Sequence, residues 1–407
     1  MTEIDKKPEI RFICFFNDWE QRKVGEIVTD VERPIILKDD EVYQLVTVKR
    51  RNEGVVSRGF LKGRDILVKN YFEIRTGDYI ISKRQVIHGA NGLVPEHLDK
   101  SVVSNEYLVV VSNDIISSKF WALISKRHDM YRMFLLSSYG VDIEKMVFNI
   151  DDWKKRTLII PSKSEQNRII EFFERLDNLI TLHQCKYDKL VNFKKSMLGK
   201  MFPKDGANVP EFRFAGFNDA WEQRKLGSIA TSTYGGGTPA TSNEEYWNGN
   251  IPWIQSSDLT EDEVFGVSPR KYISEAGLRN SATKLIPEDS IAIITRVGVG
   301  KLAIIPFAYT TSQDFLSLSG LNIDPWFGVY ACYKKLQSEL HKVQGTSIKG
   351  ITKNELLEKS IFVPISEDEQ KKIGNFFKVL DNLINLQKRK LNKLKNIKKT
   401  MLEKMFV

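Results

Sequence analysis

The chain has 407 residues and a formal charge of +9, with 42% hydrophobic and 28% charged residues. That length holds two or three domains with proper cores, and the composition is that of a globular chain, not a disordered or fibrous one. Cys14, Cys185 and Cys332 are scattered, which argues against a disulfide framework or metal knuckle, and no apolar run suits a leader or a membrane span, so a cytoplasmic protein is expected.

In chain order, residues 8–25 come first, and they return at 210–227. At an offset of 202, Pro8-Glu9 and Trp19-Glu20-Gln21-Arg22-Lys23 recur as Pro210-Glu211 and Trp221-Glu222-Gln223-Arg224-Lys225. The first insert follows, with short strands expected at Val42–Val48, Tyr79–Ser82 and Tyr107–Val111 and helix at about 115–137. Pro161 then precedes a long helix with Glu165 in its first turn, and residues 204–210 read as a linker. The second insert carries the loop Gly235-Gly-Gly-Thr-Pro239, then Trp247, Ile251-Pro-Trp-Ile254, a strand at Ile291–Ile294 and helix at about 326–345. Pro364 and Glu367, Asp368 and Glu369 open the second long helix.

The two helices are near copies. Residues 165–202 and 369–406 agree at 22 of 38 positions, whereas the inserts between the repeated segments look unrelated. Steps of three and four from Phe377 give Leu380, Ile384, Gln387, Leu391, Leu394, Lys398, Met401 and Met405. The same register in the first copy gives Phe173, Leu176, Ile180, His183, Tyr187, Leu190, Lys194, Met197 and Met201. This is a coiled-coil seam over about four heptads, with polar interruptions at matching steps. Each helix would be roughly 50 Å long. Each copy is the best match for the other, and a tandem duplication would pair them antiparallel. Separate packing of each helix on its own domain is the alternative.

The expected fold is therefore α+β: two mixed α/β recognition domains separated by a pair of long antiparallel coiled-coil helices, in a pseudo-two-fold tandem repeat. The divisions are 1–160 (with segment 8–25), 161–203, 204–363 (with segment 210–227) and 364–407.

Charge and loop chemistry suggest a polyanion partner. Residues 371–404 hold eleven Lys/Arg against two acids, and the first insert is basic between Lys49 and Arg75. The second insert is slightly acidic. In each insert an Asp opens an apolar strand that runs into a basic, glycine-bearing loop: Asp78 to Arg84, with Gly89 and Gly92, and Asp289 to Arg296, with Gly298 and Gly300. The shared pattern suggests one fold under two sequences. Glycine lets a backbone approach phosphates while Lys, Arg, Ser and Thr donate, and Arg, Asn or Gln read base edges. The candidates are Lys49, Arg50, Arg51, Arg58, Lys62, Arg84, Asn91, Thr238, Gln255, Ser256, Arg296, Lys301, Lys349 and Lys353. Trp247 and Trp253 read as core aromatics.

Catalytic signatures are missing. Asp324-Pro-Trp-Phe327 lacks the second proline of an amino-methyltransferase motif and reads as a turn. Gly298-Val-Gly300-Lys301-Leu302 lacks the spacing of a P-loop, and the five histidines form no metal-ligand pair. The chain reads as a binder without catalytic, metal or cofactor residues of its own.

The assembled pattern resembles the DNA-specificity (S) subunits of Type I restriction–modification systems over essentially the whole chain. The carriers are the two Trp-Glu-Gln-Arg-Lys segments, Gly236-Gly-Thr-Pro239 to Ile251-Pro-Trp-Ile254, Ile351-Thr-Lys-Asn-Glu-Leu356 to Val363-Pro364, and the Glu-Gln…Phe-Phe…Leu-Asp-Asn-Leu-Ile helices. The first insert departs from it by lacking the Gly-Gly-Thr-Pro loop. The resemblance implies that each insert reads one half of a split site in double-stranded DNA and that the helices set the unread spacer. It implies two docked methyltransferase (M) subunits that carry S-adenosylmethionine and modify adenine, and restriction/translocase (R) subunits that use ATP and Mg. On that reading the acidic second insert is expected to present a locally basic DNA face at Arg270, Lys271, Arg296, Lys301, Lys349 and Lys353, with its acids elsewhere and partner subunits supplying much of the phosphate contact. A coiled-coil scaffold without DNA specificity, an RNA-binding module and an unrecognised methyltransferase are the other readings.

Overall fold

The computed structural model describes residues 7–68, 70–204, 206–342 and 350–407. Two compact units emerge: residues up to Leu182 together with Leu391–Val407, and His183–Lys390. The long helices, Lys163–Lys200 and Glu367–Lys404, each contribute one part to each unit.

In the first unit the repeated segment forms the strand Glu20–Lys23, antiparallel to Thr157–Ile160, the strand that leads into the first long helix. In the second unit Glu222–Lys225 pairs in the same way with Ser360–Val363, ahead of the second long helix. The recurrent Glu-Gln-Arg-Lys sequence is thus the edge that receives the chain as it leaves each insert.

Both inserts are built on a four-stranded antiparallel sheet with the same order. The first runs Val28–Asp30, Tyr107–Ser112, Tyr79–Ser82, Asn91–Leu93. The second runs Ala230–Gly235, Phe315–Leu321, Ser290–Ile294, Leu302–Ile305. Asp78 and Asp289 precede equivalent inner strands, so the shared Asp-strand-loop pattern marks shared topology. The additions differ. The first unit carries a five-stranded sheet dominated by the hairpin Val42–Lys49 and Gly54–Lys62. The second carries three short strands, Lys271–Ile273, Ile251–Ile254 and Thr310–Thr311.

The helix expected at 115–137 is two helices, Ser118–Ile124 and His128–Leu136, interrupted at 125–127. The string Asp324-Pro-Trp-Phe327 is not a turn. Pro325 begins the helix Pro325–Lys342, and the Asp324 carboxylate accepts from the Phe327 amide at 2.8 Å. Proline tolerates a first helical position because its missing N–H would be unsatisfied there anyway.

Within each unit the two helix halves lie side by side and antiparallel. Asp177 faces Lys398 in the first; His183 faces Gln387 and Lys194 faces Asp381 in the second. Every apolar seam residue named above is buried or half-buried: Phe173, Leu176, Ile180, Tyr187, Leu190, Met197, Phe377, Leu380, Ile384, Leu391, Leu394 and Met401. The polar steps find polar partners across the seam. His183 Nδ1 and Gln387 Oε1 are 2.8 Å apart, and Lys194 and Asp381 make an ion pair of 2.6 Å. Burial pushes the Asp381 carboxyl above the usual carboxylate range, against the pull of Lys194 and the Tyr330 hydroxyl.

The helix starts are fixed by the repeated Glu-Gln pair. Glu165 takes a two-pronged hydrogen bond from Arg11, and Glu369 takes the same from Arg213. Gln166 donates to the Pro161 carbonyl and accepts from the Ser117 amide, at the start of an insert helix. Gln370 likewise bonds the Pro364 carbonyl and the Asp324 amide. The helix ends are fixed by phenylalanine. Phe406 lies against Trp19, Phe120 and Phe173 in the first core, and Phe202 against Trp221, Phe327 and Phe377 in the second.

Candidate nucleic-acid interface

In the first unit, two of the candidate segments meet. The hairpin turn places Arg51 and Asn52 at positive φ, a conformation non-glycine residues seldom adopt. It is held by the Arg51 amide donating to the His88 carbonyl at 2.7 Å and the Asn52 amide donating to the Gly89 carbonyl at 2.9 Å. Lys49, Arg50, Arg51 and the loop after Arg84 therefore form one exposed basic end. Lys62 belongs to the other end of the same hairpin, where it pairs with Val42, and Arg58 lies between the two ends, at the register shift opposite Leu45 and Val46. At ~3.3 Å per residue the eight-residue strand puts Lys62 roughly 25 Å from the turn and Arg58 about half that distance.

Each of three cations at the basic end has a carboxylate. Lys49 faces Glu53 at 3.8 Å, Arg50 faces Glu144 at 2.9 Å and Arg84 faces Glu106 at 2.7 Å. All three pairs are open to solvent, where such contacts are worth about 1 kcal/mol or less, so an incoming phosphate can displace them.

Asn91 is a correction. It is 4% exposed, and its side-chain oxygen accepts from Tyr79, whose hydroxyl burial holds in the neutral form. A base edge cannot reach it, because the strand Asn91–Leu93 turns this side chain inward. Asp78 is likewise internal, joined to Arg33 at 2.6 Å; hydrogen bonding to that carboxylate raises the guanidinium's affinity for its proton.

In the second unit the turn Thr311–Asp314 gathers the candidates. The Thr238 hydroxyl donates to Gln313 at 2.7 Å, and the Ser312 amide donates to the Ile254 carbonyl, next to Gln255 and Ser256. On its other side the Thr295 amide donates to the Asp314 carbonyl, next to Arg296, and the Ile351 amide donates to the Thr295 carbonyl, close to Lys353. Arg296 and Lys353 are exposed, and no ion partner is seen for either among the described residues. Lys301 is only half available, since its ammonium donates to the Leu259 carbonyl at 3.2 Å. Lys349 lies outside the described residues. The insert helix Lys353–Glu358 begins on Thr352, whose hydroxyl accepts from Glu355, while Glu355 bonds the Thr352 amide in return.

The glycine loop is shaped by its own surroundings. A Cβ on Gly236 would stand 1.9 Å from the Ser312 carbonyl oxygen, and one on Gly237 2.4 Å from the Thr283 nitrogen. The Trp253 indole donates to the Gly237 carbonyl at 2.9 Å and the Trp247 indole to the Ala240 carbonyl at 3.1 Å. Trp253 is core; Trp247 is only half-buried. Arg270 binds Asp258 and the Ser257 carbonyl, and Lys271 sits over both indoles at 5.6 and 5.8 Å from the ring centres. Gln313 and Tyr272 were not foreseen. The signal for Gln313 is the polar run Thr310-Thr-Ser-Gln-Asp314 between two apolar strands.

Among the described residues, no group of three or more His, Cys, Asp or Glu is placed to hold a metal ion, and no helix is long and apolar enough to cross a membrane.

A duplicated frame with long helices that pair and two diverged α/β inserts defines a class. The chain matches the Type I restriction modification DNA specificity domain twice, over residues 17–192 and 218–396, and belongs to that family. The Type I restriction enzyme MjaIX specificity subunit of Methanocaldococcus jannaschii is 28% identical over 235 residues, 56% of this chain and 49% of that protein. The chain thus spans about half the length of that relative. The putative MjaX specificity subunit of the same organism is 20% identical, covering 98% of this chain and 94% of its own. The EcoR124I/EcoR124II specificity subunit of Escherichia coli is 34% identical over 40% of this chain and 42% of its own.

Among solved structures, the S subunit of a Type-I restriction-modification system from M. genitalium has a TM-score of 0.62 at 16% identity, covering 98% of this chain and 99% of that one. A structure described as the basis of complex assembly and conformational transition of the type I R-M system has a TM-score of 0.54 at 20% identity, covering 95% and 97%. At these identities the likeness shows the fold.

Proposed function

We propose that this chain is the non-catalytic subunit that gives a Type I restriction–modification complex its DNA sequence. Each insert reads one half of an asymmetric, split site, and the paired helices set the spacer between the halves. The single observation that carries this reading is the contrast between a frame kept in duplicate, down to its Arg–Glu and Trp–Phe contacts, and two inserts that share a sheet order but not a sequence. Repetition suits a common partner met twice; divergence suits two different targets.

The helices also support docking of two methyltransferase subunits. Leu179 and Leu182 in the first unit, and their counterparts Leu383 and Leu386 in the second, are 44–50% exposed. Large apolar side chains open to water at repeat-related positions suit two copies of one partner. In that assembly S-adenosylmethionine belongs to the methyltransferase subunits, and ATP and Mg to the restriction subunits.

Exchange of residues 228–363 for the corresponding insert of another family member tests the reading. Mapping methylated adenines should show one half of the recognised sequence changed and the other kept. An unchanged methylation pattern would reduce the chain to a scaffold, and binding of S-adenosylmethionine by the purified chain alone would make it an enzyme.

A further inference from the structure

Beside the glycine loop of the second unit lies an open cavity of about 480 Å³, lined by Trp247, Asn248, Arg270, Lys271 and Tyr272 among others, with no acidic residue in its wall. Ligand pockets begin at roughly 300 Å³, so the space suffices for one small polar ligand. Three features of its chemistry agree. Lys271 is exposed and has no carboxylate partner among the described residues; its ammonium is held instead over the faces of Trp247 and Trp253. An ammonium positioned by an aromatic face keeps its N–H groups for an anion. Arg270 is fixed through Nε and one terminal nitrogen by Asp258 and Ser257. Tyr272 is 41% exposed although it lies on a strand, and it supplies an aromatic surface with no core to cover.

We infer that this cavity holds one nucleotide of the DNA strand, with its phosphate on Lys271 and its sugar against Trp247 and Tyr272. The inference rests on the assignment of residues 228–363 to DNA recognition and adds a positioning contact to it. The cavity shares its walls with that interface: the Trp247 indole also secures the glycine loop, and Arg270 secures the turn that follows Gln255 and Ser256. A phosphate fixed there sets the register in which Thr238, Gln255 and Arg296 meet the grooves.

The test uses the full chain in complex with its methyltransferase subunits, bound to target and unrelated duplexes across a salt series. Lys271→Gln should weaken binding to both duplexes by about tenfold at low salt and reduce the slope of log affinity against log salt by about 0.9, the loss of one phosphate contact. Lys271→Arg should restore the slope, and Lys284→Gln, at an exposed lysine outside the cavity wall, should leave it unchanged. Ethylation of one phosphate in the half-site read by residues 228–363 should interfere with the parent complex and not with Lys271→Gln. An unchanged slope, a loss confined to the target sequence, or weakened methyltransferase binding with DNA affinity intact would each overturn the inference. None of these would disturb an insert exchange that still rewrites half the site, so the two proposals fail separately.

Discussion

Lys194 and Asp381 form a buried ion pair whose repeat-related counterpart, Lys398 and Asp177, is partly open to water. The side chains of the first pair are 9% and 7% exposed, and those of the second 27% and 49%. Residue i meets j and j's equivalent meets i's equivalent, the mark of an isologous contact. The surroundings differ: Lys194 also donates to the Asp262 carbonyl and lies near the rings of Tyr330 and Tyr333, which come from the second insert.

The two pairs should therefore respond unequally. Lys194→Met leaves Asp381 buried without its cation and should cost about 3–5 kcal/mol, whereas Lys398→Met should cost about 1 kcal/mol or less. The double variant Lys194→Met with Asp381→Leu should recover most of the loss. Calorimetry of the single and double variants checks the ordering. Equal losses from both single variants would remove burial as the cause.

The Arg11–Glu165 and Arg213–Glu369 forks should discriminate between arginine and lysine. A planar guanidinium matches both carboxylate oxygens, while an ammonium satisfies one geometry at a time. Arg11→Lys and Arg213→Lys should each lower stability by about 1–3 kcal/mol despite conserving charge. Denaturant titration followed by circular dichroism reports it. Near-neutral substitutions would mean the forks only decorate the helix starts.

Helix-end phenylalanines should act on different cores. Phe406→Ala should destabilise the first unit and Phe202→Ala the second, each by about 3–5 kcal/mol. Hydrogen exchange resolved along the chain should show faster exchange in the Tyr79–Ser82 strand for Phe406→Ala and in the Ser290–Ile294 strand for Phe202→Ala. A reversed pattern would contradict the packing described.

Gly374 should not tolerate a side chain. A Cβ there would stand 2.7 Å from the Phe327 nitrogen and 2.8 Å from an Asp324 carboxylate oxygen, although alanine is the better helix former by about 1 kcal/mol. Gly374→Ala should lower the melting temperature, against the direction of helix propensity. The first repeat has Ile170 at this position, so Ile170→Ala is a cavity-forming comparison.

Gln313, at the turn joining Thr238 to Arg296, should read a base. Gln313→Ala should relax one position of one half of the methylated sequence and leave the other half intact. Methylation mapping gives the answer directly. Relaxation at several positions in both halves would point to lost folding rather than lost reading.

Much of the helix pair was legible because a seven-residue period is a long-range signal carried by many side chains, and Phe173 through Met201 hold it with polar residues only at His183 and Lys194. The partners of Lys194 and Lys398 were also within reach, since Asp177 and Asp381 recur at the same offset as the lysines. The offset hid the Arg11 and Arg213 forks: the entry segments repeat at 202 and the helices at 204, so one alignment never shows both. Inside the inserts the strands are only two to nine residues long, and side-chain type says little about which face a short strand turns inward. Asn91 shows the limit. Its amide suits an adenine edge, yet the tertiary structure spends it on Tyr79.

The first core is finished by Met405 and Phe406, residues nearly four hundred positions beyond Trp19, whereas the second unit is one unbroken run from His183 to Lys390. On a ribosome the later-encoded body therefore has all its parts first, and the earlier one waits half-closed until the last helix has emerged. Truncated translation products should contain an ordered second body and an unsealed first one, the reverse of the usual order in which tandem domains mature.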